Sequence, residues 1–204
     1  KVSHLPLLNI EKTQHEKVQF SDYGGIIFTS ANAVKFLDQD IQDKYINCFC
    51  VGNATEKKAR SLGFQNTIAA EGNVSNLIEL ILQNHDIKNK NLLYISGELI
   101  SIDLQQKLSK EGFIVKRVIN YRVTHNQNFN ENFISKLRLD MPDMVYIYSY
   151  NSALSFLNFI KNYQLERLCM NTNLLCIGEK TSSILNEIKW KKIFLFNPGE
   201  EEFL

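Results

Sequence analysis

The sequence predicts an α/β protein that contains two copies of one parallel-sheet domain. The segment 26–34, IIFTSANAV, is an apolar run that ends at Ser-x-Asn and passes into a helical pattern, and segment 145–152, VYIYSYNS, repeats this design. Each copy is followed by a second matched piece, CFCVGNAT at 48–55 and LLCIGEKT at 174–181. The repeat is too long for a solenoid unit, so we interpret it as a duplicated domain.

The composition is that of an ordinary globular protein. The chain has 204 residues, of which 44% are apolar and 22% are charged, and its formal net charge is +1. Lysine and arginine are scattered and no apolar run is long enough to cross a membrane, so we expect neither nucleic acid nor a membrane as a partner. We expect a cytoplasmic monomer.

Four cysteines occur, at positions 48, 50, 169 and 176, and they lack the spacing of a metal site or a redox motif. Cys48 and Cys50 alternate along a predicted strand, which puts them on one face of it. We therefore expect reduced cysteines that pack as small core residues.

The first half of the chain alternates between predicted strands and helices. Pro6 marks the opening extended segment, residues 5–10, as an edge or a connector. The next elements are a strand at 26–28, a strand at 48–51, a helix from 53 to 63, a strand at 67–70, a helix at 73–83, a strand at 91–97, a helix ending at 112, and a strand at 114–119 that continues to 123.

The second half begins after a polar segment, residues 125–130, which resembles a domain boundary. A helix at 129–137 and strands at 145–148, 174–177 and 192–196 follow. This alternation favours a parallel sheet in each half. We predict an inner domain at 11–118, an outer domain at 125–204, and two crossings between them, at 5–10 and 119–124.

Small polar residues stand where several predicted strands end. In parallel sheets, ligands bind beyond the carboxyl ends of the strands. Capping of the following helices explains these residues adequately. Their recurrence in both halves also suits a ligand with several carboxylates, because helix N-termini offer N–H donors. The residues are Ser30, Asn32, Gly52, Thr55, Ser149, Asn151, Gly178 and Thr181.

Several common chemistries are not indicated. GEKT at 178–181 lacks the adjacent Gly-Lys and the upstream glycine of a Walker loop. No G-x-G-x-x-G follows a strand and no G-x-S-x-G is present, so neither a dinucleotide site nor a nucleophile elbow is predicted. The four histidines have no ligand spacing. We expect no metal and no cofactor.

Taken in series, these motifs resemble the uroporphyrinogen-III synthase family. The matching segments are FTSANAV at 28–34, VGNAT at 51–55 with Gly63-Phe64, Ser96-Gly97, VINYR at 118–122, Ser149 with Ser152, and IGEKT at 177–181. The resemblance implies two flavodoxin-like domains, each a three-layer αβα unit, joined by a two-stranded connection with the active site in the cleft between them. It also implies that a strand and a helix of the outer domain are missing from the start of this chain.

The implied activity is that of a cofactor-free, cyclising lyase. Hydroxymethylbilane, a linear tetrapyrrole with several carboxylates, loses its hydroxyl and closes into uroporphyrinogen III with ring D inverted, for which a spiro intermediate is the usual proposal. Because the substrate closes unaided to the unflipped isomer, such an enzyme acts mainly by positioning. The implied substrate-binding residues are Ser30, Asn32, Asn53, Thr55, Ser96, Gly97, Ser149, Asn151, Ser152, Gly178, Lys180 and Thr181.

Tyr121 matches the functionally important tyrosine of that family, and the resemblance implies that it is catalytic. A phenol is protonated at neutral pH, so it can donate to a departing hydroxyl. Packing of an aromatic ring at a strand end is the alternative role. Two other functions stay open: a non-catalytic two-lobed binder of a polycarboxylate, and an inactive family member with a regulatory role.

Overall fold

The computed structural model describes residues 2–37, 43–71, 74–89 and 91–196. The chain divides into two compact units, one formed by Ile10–Val123 and the other by Lys1–Asn9 with Thr124–Leu204. The boundary between the units falls inside two strands, β1 (Leu8–Lys12) and β6 (Val115–His125). Among the described residues, no helix is long and apolar enough to span a membrane.

In its described residues, the larger unit holds a six-stranded sheet and four α-helices. Its further elements are β2 (Gly25–Phe28), α1 (Ala31–Lys35), β3 (Asn47–Val51), α2 (Asn53–Ser61), β4 (Thr67–Ala70), α3 (Val74–Asn84), β5 (Leu92–Gly97) and α4 (Leu104–Lys110). A 3-10 turn at Phe20–Asp22 precedes β2. The strands and helices predicted for this half are confirmed within a few residues, except that the opening extended segment forms a strand only from Leu8 to Lys12.

The strands of this sheet lie in the order β1-β6-β5-β2-β3-β4. Strands β2 to β6 are parallel, whereas β1 is antiparallel to β6, because Leu7 is bonded to Asn126 while Thr13 is bonded to Asn120. Numbered from β2, the parallel strands follow the order 3-2-1-4-5. Flavodoxin has the order 2-1-3-4-5, so this unit has the predicted parallel αβα layering but differs from flavodoxin in strand order.

Each face of this sheet is covered by two helices. Ile26 and Phe28 of β2 pack with α1 and α2, whereas Ile27 packs with α3 and α4. This split follows from the alternation of side chains along a strand, and it explains why β2 is buried at all four positions. Cys48 and Cys50 lie together on the α1 face, as predicted, and all four cysteines are buried and free.

The smaller unit has a three-stranded parallel sheet in the order β7-β8-β9. Its elements are α5 (Glu131–Leu139), β7 (Met144–Ile147), α6 (Tyr150–Asn162), α7 (Glu166–Cys169), β8 (Asn173–Ile177), α8 (Gly178–Leu185) and β9 (Lys192–Phe196). One face packs against α6 and α8 around Ile147, Leu174 and Cys176. On the other face, Tyr146 and Phe194 stay 41% and 43% exposed.

Candidate active site

In the larger unit, the polar turns meet at one edge of the sheet. β5, β2 and β3 are neighbours and run parallel, so the residues that follow Phe28, Val51 and Ser96 lie side by side. Ser30 is the N-cap of α1, and its hydroxyl oxygen accepts a hydrogen bond of 3.2 Å from the backbone N–H of Asn32. The capping role expected for Ser30 is therefore present.

The turn from β3 into α2 depends on a glycine. Gly52 has φ 73° and ψ 153°, a conformation essentially restricted to glycine. No atom of the described residues lies within 4 Å of the position that a Cβ would occupy there, so this side of the turn is open. Asn53 is exposed as the first helical residue, whereas Thr55 is buried, with 5% of its surface exposed. Asn53 is thus accessible to a ligand, and Thr55 mainly supports the turn.

The end of β5 is held by an arginine that sequence reasoning missed. The Arg117 guanidinium donates to Ser96 Oγ at 2.8 Å and to the carbonyl oxygens of Gly97 and Glu98 at 2.7 and 2.9 Å. Ser96 is buried and its hydroxyl donates to the Gly97 carbonyl. The Ser96 hydroxyl is therefore engaged inside the protein rather than presented at the surface.

A β-bulge places Tyr121 at this edge. Along the β5–β6 pair, Ser96 is opposite Ile119 and Gly97 is opposite Tyr121, so Asn120 is an extra residue in β6. Bulges re-aim side chains and are frequent beside active sites. Strict alternation would put Val118 and Tyr121 on opposite faces, yet both belong to the core on the α1 face. The extra residue at the bulge therefore brings Tyr121 to the same face of the sheet as Val118.

The Tyr121 ring is enclosed on two sides. It stacks on Phe36, with 6.3 Å between ring centroids and 26° between planes, and it lies against the backbone of Gly97. Only 8% of the residue is exposed. The phenol oxygen has no hydrogen-bond partner among the residues that the structure describes. This hydroxyl can therefore donate to a bound molecule without breaking an internal bond.

A second tyrosine supports the end of β2. The Tyr94 hydroxyl and Thr29 Oγ1 are 3.1 Å apart, within one hydrogen bond. Burial raises the pKa of the Tyr94 phenol above its ordinary value. A tyrosine inside an apolar strand gives no signal in the sequence, because its partner is 65 positions away.

The turn from β7 into α6 in the smaller unit resembles the turn from β2 into α1. Ser149 is the N-cap of α6, and its oxygen accepts a 3.0 Å hydrogen bond from the backbone N–H of Ser152. The same hydroxyl donates to Ser152 Oγ at 2.7 Å. Asn151 is half-buried beside them. Ser149 therefore caps α6 as Ser30 caps α1.

The turn from β8 into α8 in the smaller unit contains a glycine like Gly52. Gly178 has φ 65°, and within the part of the chain that the structure describes no atom lies within 4 Å of its would-be Cβ. Thr181 is buried, as Thr55 is in the larger unit, and Lys180 is exposed with its Nζ 5.4 Å from the ring centroid of Tyr150. Because β7 and β8 are parallel neighbours, this turn and Ser149 occur at one edge of the sheet. The predicted residues thus form two groups, one in each unit.

A cavity of about 270 Å³ in the smaller unit contains none of the predicted residues. His125 and Ser155 line it together with asparagines and aromatic rings. Ser155 donates to the Leu7 carbonyl at 2.7 Å, so it accepts from His125 Nδ1 at 2.8 Å. Among the described residues, no group of three or more His, Cys, Asp or Glu side chains could hold a metal ion.

Comparisons with known proteins identify the family and the fold. The family model described as Uroporphyrinogen-III synthase HemD matches residues 1–195. The fold resembles a uroporphyrinogen-III synthetase from Helicobacter pylori, with 18% identity, a TM-score of 0.69, and coverage of 97% of this chain and 87% of that one. A uroporphyrinogen III synthase mutant from Thermus thermophilus gives 14% identity, a TM-score of 0.53, and coverage of 93% and 81%.

A comparison with curated protein sequences found no match. The family model nevertheless covers nearly the whole chain, and the two solved structures share its mixed α/β fold with parallel sheets. The resemblance to the uroporphyrinogen-III synthase family is therefore confirmed. The chain belongs to the uroporphyrinogen-III synthase family, and it is a cyclising lyase of porphyrin biosynthesis.

Proposed function

We propose that the two polar edges hold hydroxymethylbilane while Tyr121 assists loss of its hydroxyl, so that the product is uroporphyrinogen III. The observation that carries this proposal is Tyr121 itself: a phenol without an internal partner among the described residues, re-aimed by a bulge to the carboxyl edge of a parallel sheet. The binder and the regulatory module are not favoured, since the chain belongs to a family of enzymes.

The carboxylates of the substrate would bind at the open turns. Among the described residues, no atom lies within 4 Å of the would-be Cβ of Gly52 or Gly178, which leaves space for a ligand beside the starts of α2 and α8. The backbone N–H groups at a helix N-terminus, together with the helix dipole, attract anions. Asn53 and Lys180 are exposed beside these turns and add further donors. We assign substrate contacts to these residues and to Ser30, Asn32, Ser149 and Asn151, and a supporting role to Thr55, Ser96, Gly97, Ser152 and Thr181.

The chemical step needs one proton at one atom. As the C–O bond of the hydroxymethyl group breaks, the Tyr121 phenol gives its proton to the departing oxygen, which leaves as water. The exposed methylene carbon then forms a C–C bond with the ring D carbon that already bears the bridge to ring C, which gives the spiro intermediate. The bridge bond at that carbon breaks and re-forms at the free α-carbon of ring D, which inverts the ring, and the proton lost from that carbon returns to the Tyr121 phenolate. Which pyrrole carbon attacks is decided by how the bound chain is folded, so most of the catalysis is positional.

The domain arrangement remains part of the proposal. We infer an inner domain at 11–118, an outer domain at 125–204, and a two-stranded connection formed by the crossings. The unit boundary inside β1 and β6 supports it. We also propose a cytoplasmic monomer that works without a cofactor.

The test is the isomer that the purified protein forms from hydroxymethylbilane. The product is oxidised and the uroporphyrin isomers are separated by chromatography. We expect mainly type III, measured against the type I that forms spontaneously without protein. A product that contains only type I at every protein concentration would overturn the proposal.

A further inference from the structure

Asn120, the extra residue of the β6 bulge, directly precedes Tyr121. It is fully buried, and its Nδ2 donates to the carbonyl oxygen of Ala33 in α1 at 2.7 Å. The carbonyl fixes the orientation of the amide, because only Nδ2 can donate to it. Asn120 Oδ1 is then left buried without a hydrogen-bond partner among the described residues.

This arrangement is costly for the fold. A buried acceptor without a partner loses its hydration and gains nothing in return. An apolar residue in the same place would leave only the Ala33 carbonyl to be satisfied. Since each unsatisfied buried group calls for an explanation, a role other than stability is indicated for this amide.

Two backbone hydrogen bonds also hold the bulge in place. The N–H of Thr13, the residue after β1, donates to the Asn120 carbonyl at 3.0 Å, and the N–H of Glu98 donates to the Tyr121 carbonyl at 2.9 Å. The Asn120 side chain adds the third anchor, to α1. Phe36, which stacks on Tyr121, follows Ala33 by one turn at the end of the same helix.

We propose that Asn120 is a positioning residue: its amide ties the bulge to α1 and so holds the Tyr121 ring between Phe36 and Gly97, with the phenol aimed at the substrate. This inference rests on the role of Tyr121 in the proposed function. Asn120 does not touch the substrate. It acts through Tyr121, by limiting how far the bulge and α1 can move apart.

The test compares Asn120→Leu, Tyr121→Phe and the double variant. Asn120→Leu keeps the shape of the side chain and removes the donor. We expect it to bind product as the wild type does, to turn over roughly ten- to hundredfold more slowly, and to form a larger share of type I. Because Asn120 acts through Tyr121, the double variant should be no slower than Tyr121→Phe alone.

Val115→Ala is the matched control, since Val115 is a buried residue of the same strand on the opposite core. It should lose thermal stability and keep both the rate and the isomer ratio. Should Asn120→Leu not fold, Asn120→Ser, whose hydroxyl is too short to reach Ala33, makes the same prediction.

Each result has one meaning. A double variant that is slower than Tyr121→Phe by the full effect of Asn120→Leu overturns the inference, because the two residues then act independently. Wild-type rate and isomer ratio in Asn120→Leu overturn it as well. If instead Tyr121→Phe keeps the full rate, the proposed role of Tyr121 fails, and the positioning inference fails with it.

Discussion

The ring of Tyr121 lies so close to Gly97 that a Cβ on this glycine would be 2.6 Å from Tyr121 Cζ and 2.9 Å from the phenol oxygen. Gly97 does not have a positive φ, so its backbone would accept any residue. The glycine is therefore required by the space that the tyrosine occupies. The two residues are opposite each other across the bulged β5–β6 pair.

Gly97→Ala should displace Tyr121 without breaking the fold. We expect turnover to fall roughly ten- to hundredfold, because a shift of about 1 Å in a reacting group has that effect, and the share of type I to rise. Steady-state kinetics and isomer analysis measure both. Gly25→Ala is the matched control, since its Cβ would meet side-chain atoms of Leu92 and Phe49 at 2.9 Å. Equal effects of the two variants on isomer ratio would contradict this account.

Tyr121→Phe removes only the hydroxyl. If the phenol donates a proton to the departing oxygen, turnover should fall by about 10²–10⁴-fold while product binding is kept. Tyr94→Phe is the control: it breaks the bond to Thr29, should cost about 1 kcal/mol of stability, and should leave the isomer ratio unchanged. A Tyr121→Phe variant with the wild-type rate would show that the tyrosine has no acid role.

Ser149→Ala should lower the free energy of unfolding by about 1 kcal/mol, because the N-cap of α6 is lost. In a chain of this size the corresponding fall in Tm is about 2–4 °C. Calorimetry measures the change, and kinetics show whether KM rises as well, as a substrate contact requires. Ser183→Ala, an exposed serine in the middle of α8, should change Tm by little. An unchanged Tm in Ser149→Ala would argue against the cap.

Gly52→Ala should destabilise the protein by about 1–3 kcal/mol through backbone strain alone, because φ 73° with ψ 153° is open only to glycine. Since no atom of the residues described lies within 4 Å of the added Cβ, we expect no contribution from steric overlap. Gly52→Asn should not rescue the loss, because asparagine tolerates the left-handed helical region but not this one. Chemical denaturation of both variants measures the cost, and full stability in either one would refute the strain argument.

Alkaline pH should destabilise the protein through its buried thiols. Burial raises the pKa of Cys50 to about 12 from an ordinary value of 9.0. Since the folded-state pKa is the higher one, the contribution of Cys50 is complete below pH 9 and is lost as pH rises toward 12. Between pH 8 and 10 the wild type should lose about 1 kcal/mol more stability than Cys50→Ala. Urea unfolding at several pH values tests this, and parallel pH profiles would contradict it.

The sequence by itself determined the local elements and the identity of the polar turns. The bounds predicted for β4 and β9 agree with the structure, and the serine caps at Ser30 and Ser149 are present. These features depend on side-chain periodicity and on bonds that span two or three residues, so the local sequence contains all the information that they require.

The tertiary structure alone decided the strand order and the face of the sheet on which Tyr121 lies. The order 3-2-1-4-5 depends on which edge of β2 receives β5, and no local pattern encodes that choice. Alternation alone would have turned Tyr121 to the wrong face, because the bulge at Asn120 exists only once β5 and β6 have paired. The bonds from Asn120 to Ala33 and between Thr29 and Tyr94 join residues 87 and 65 positions apart. Contacts at such separations form only when the whole sheet has assembled.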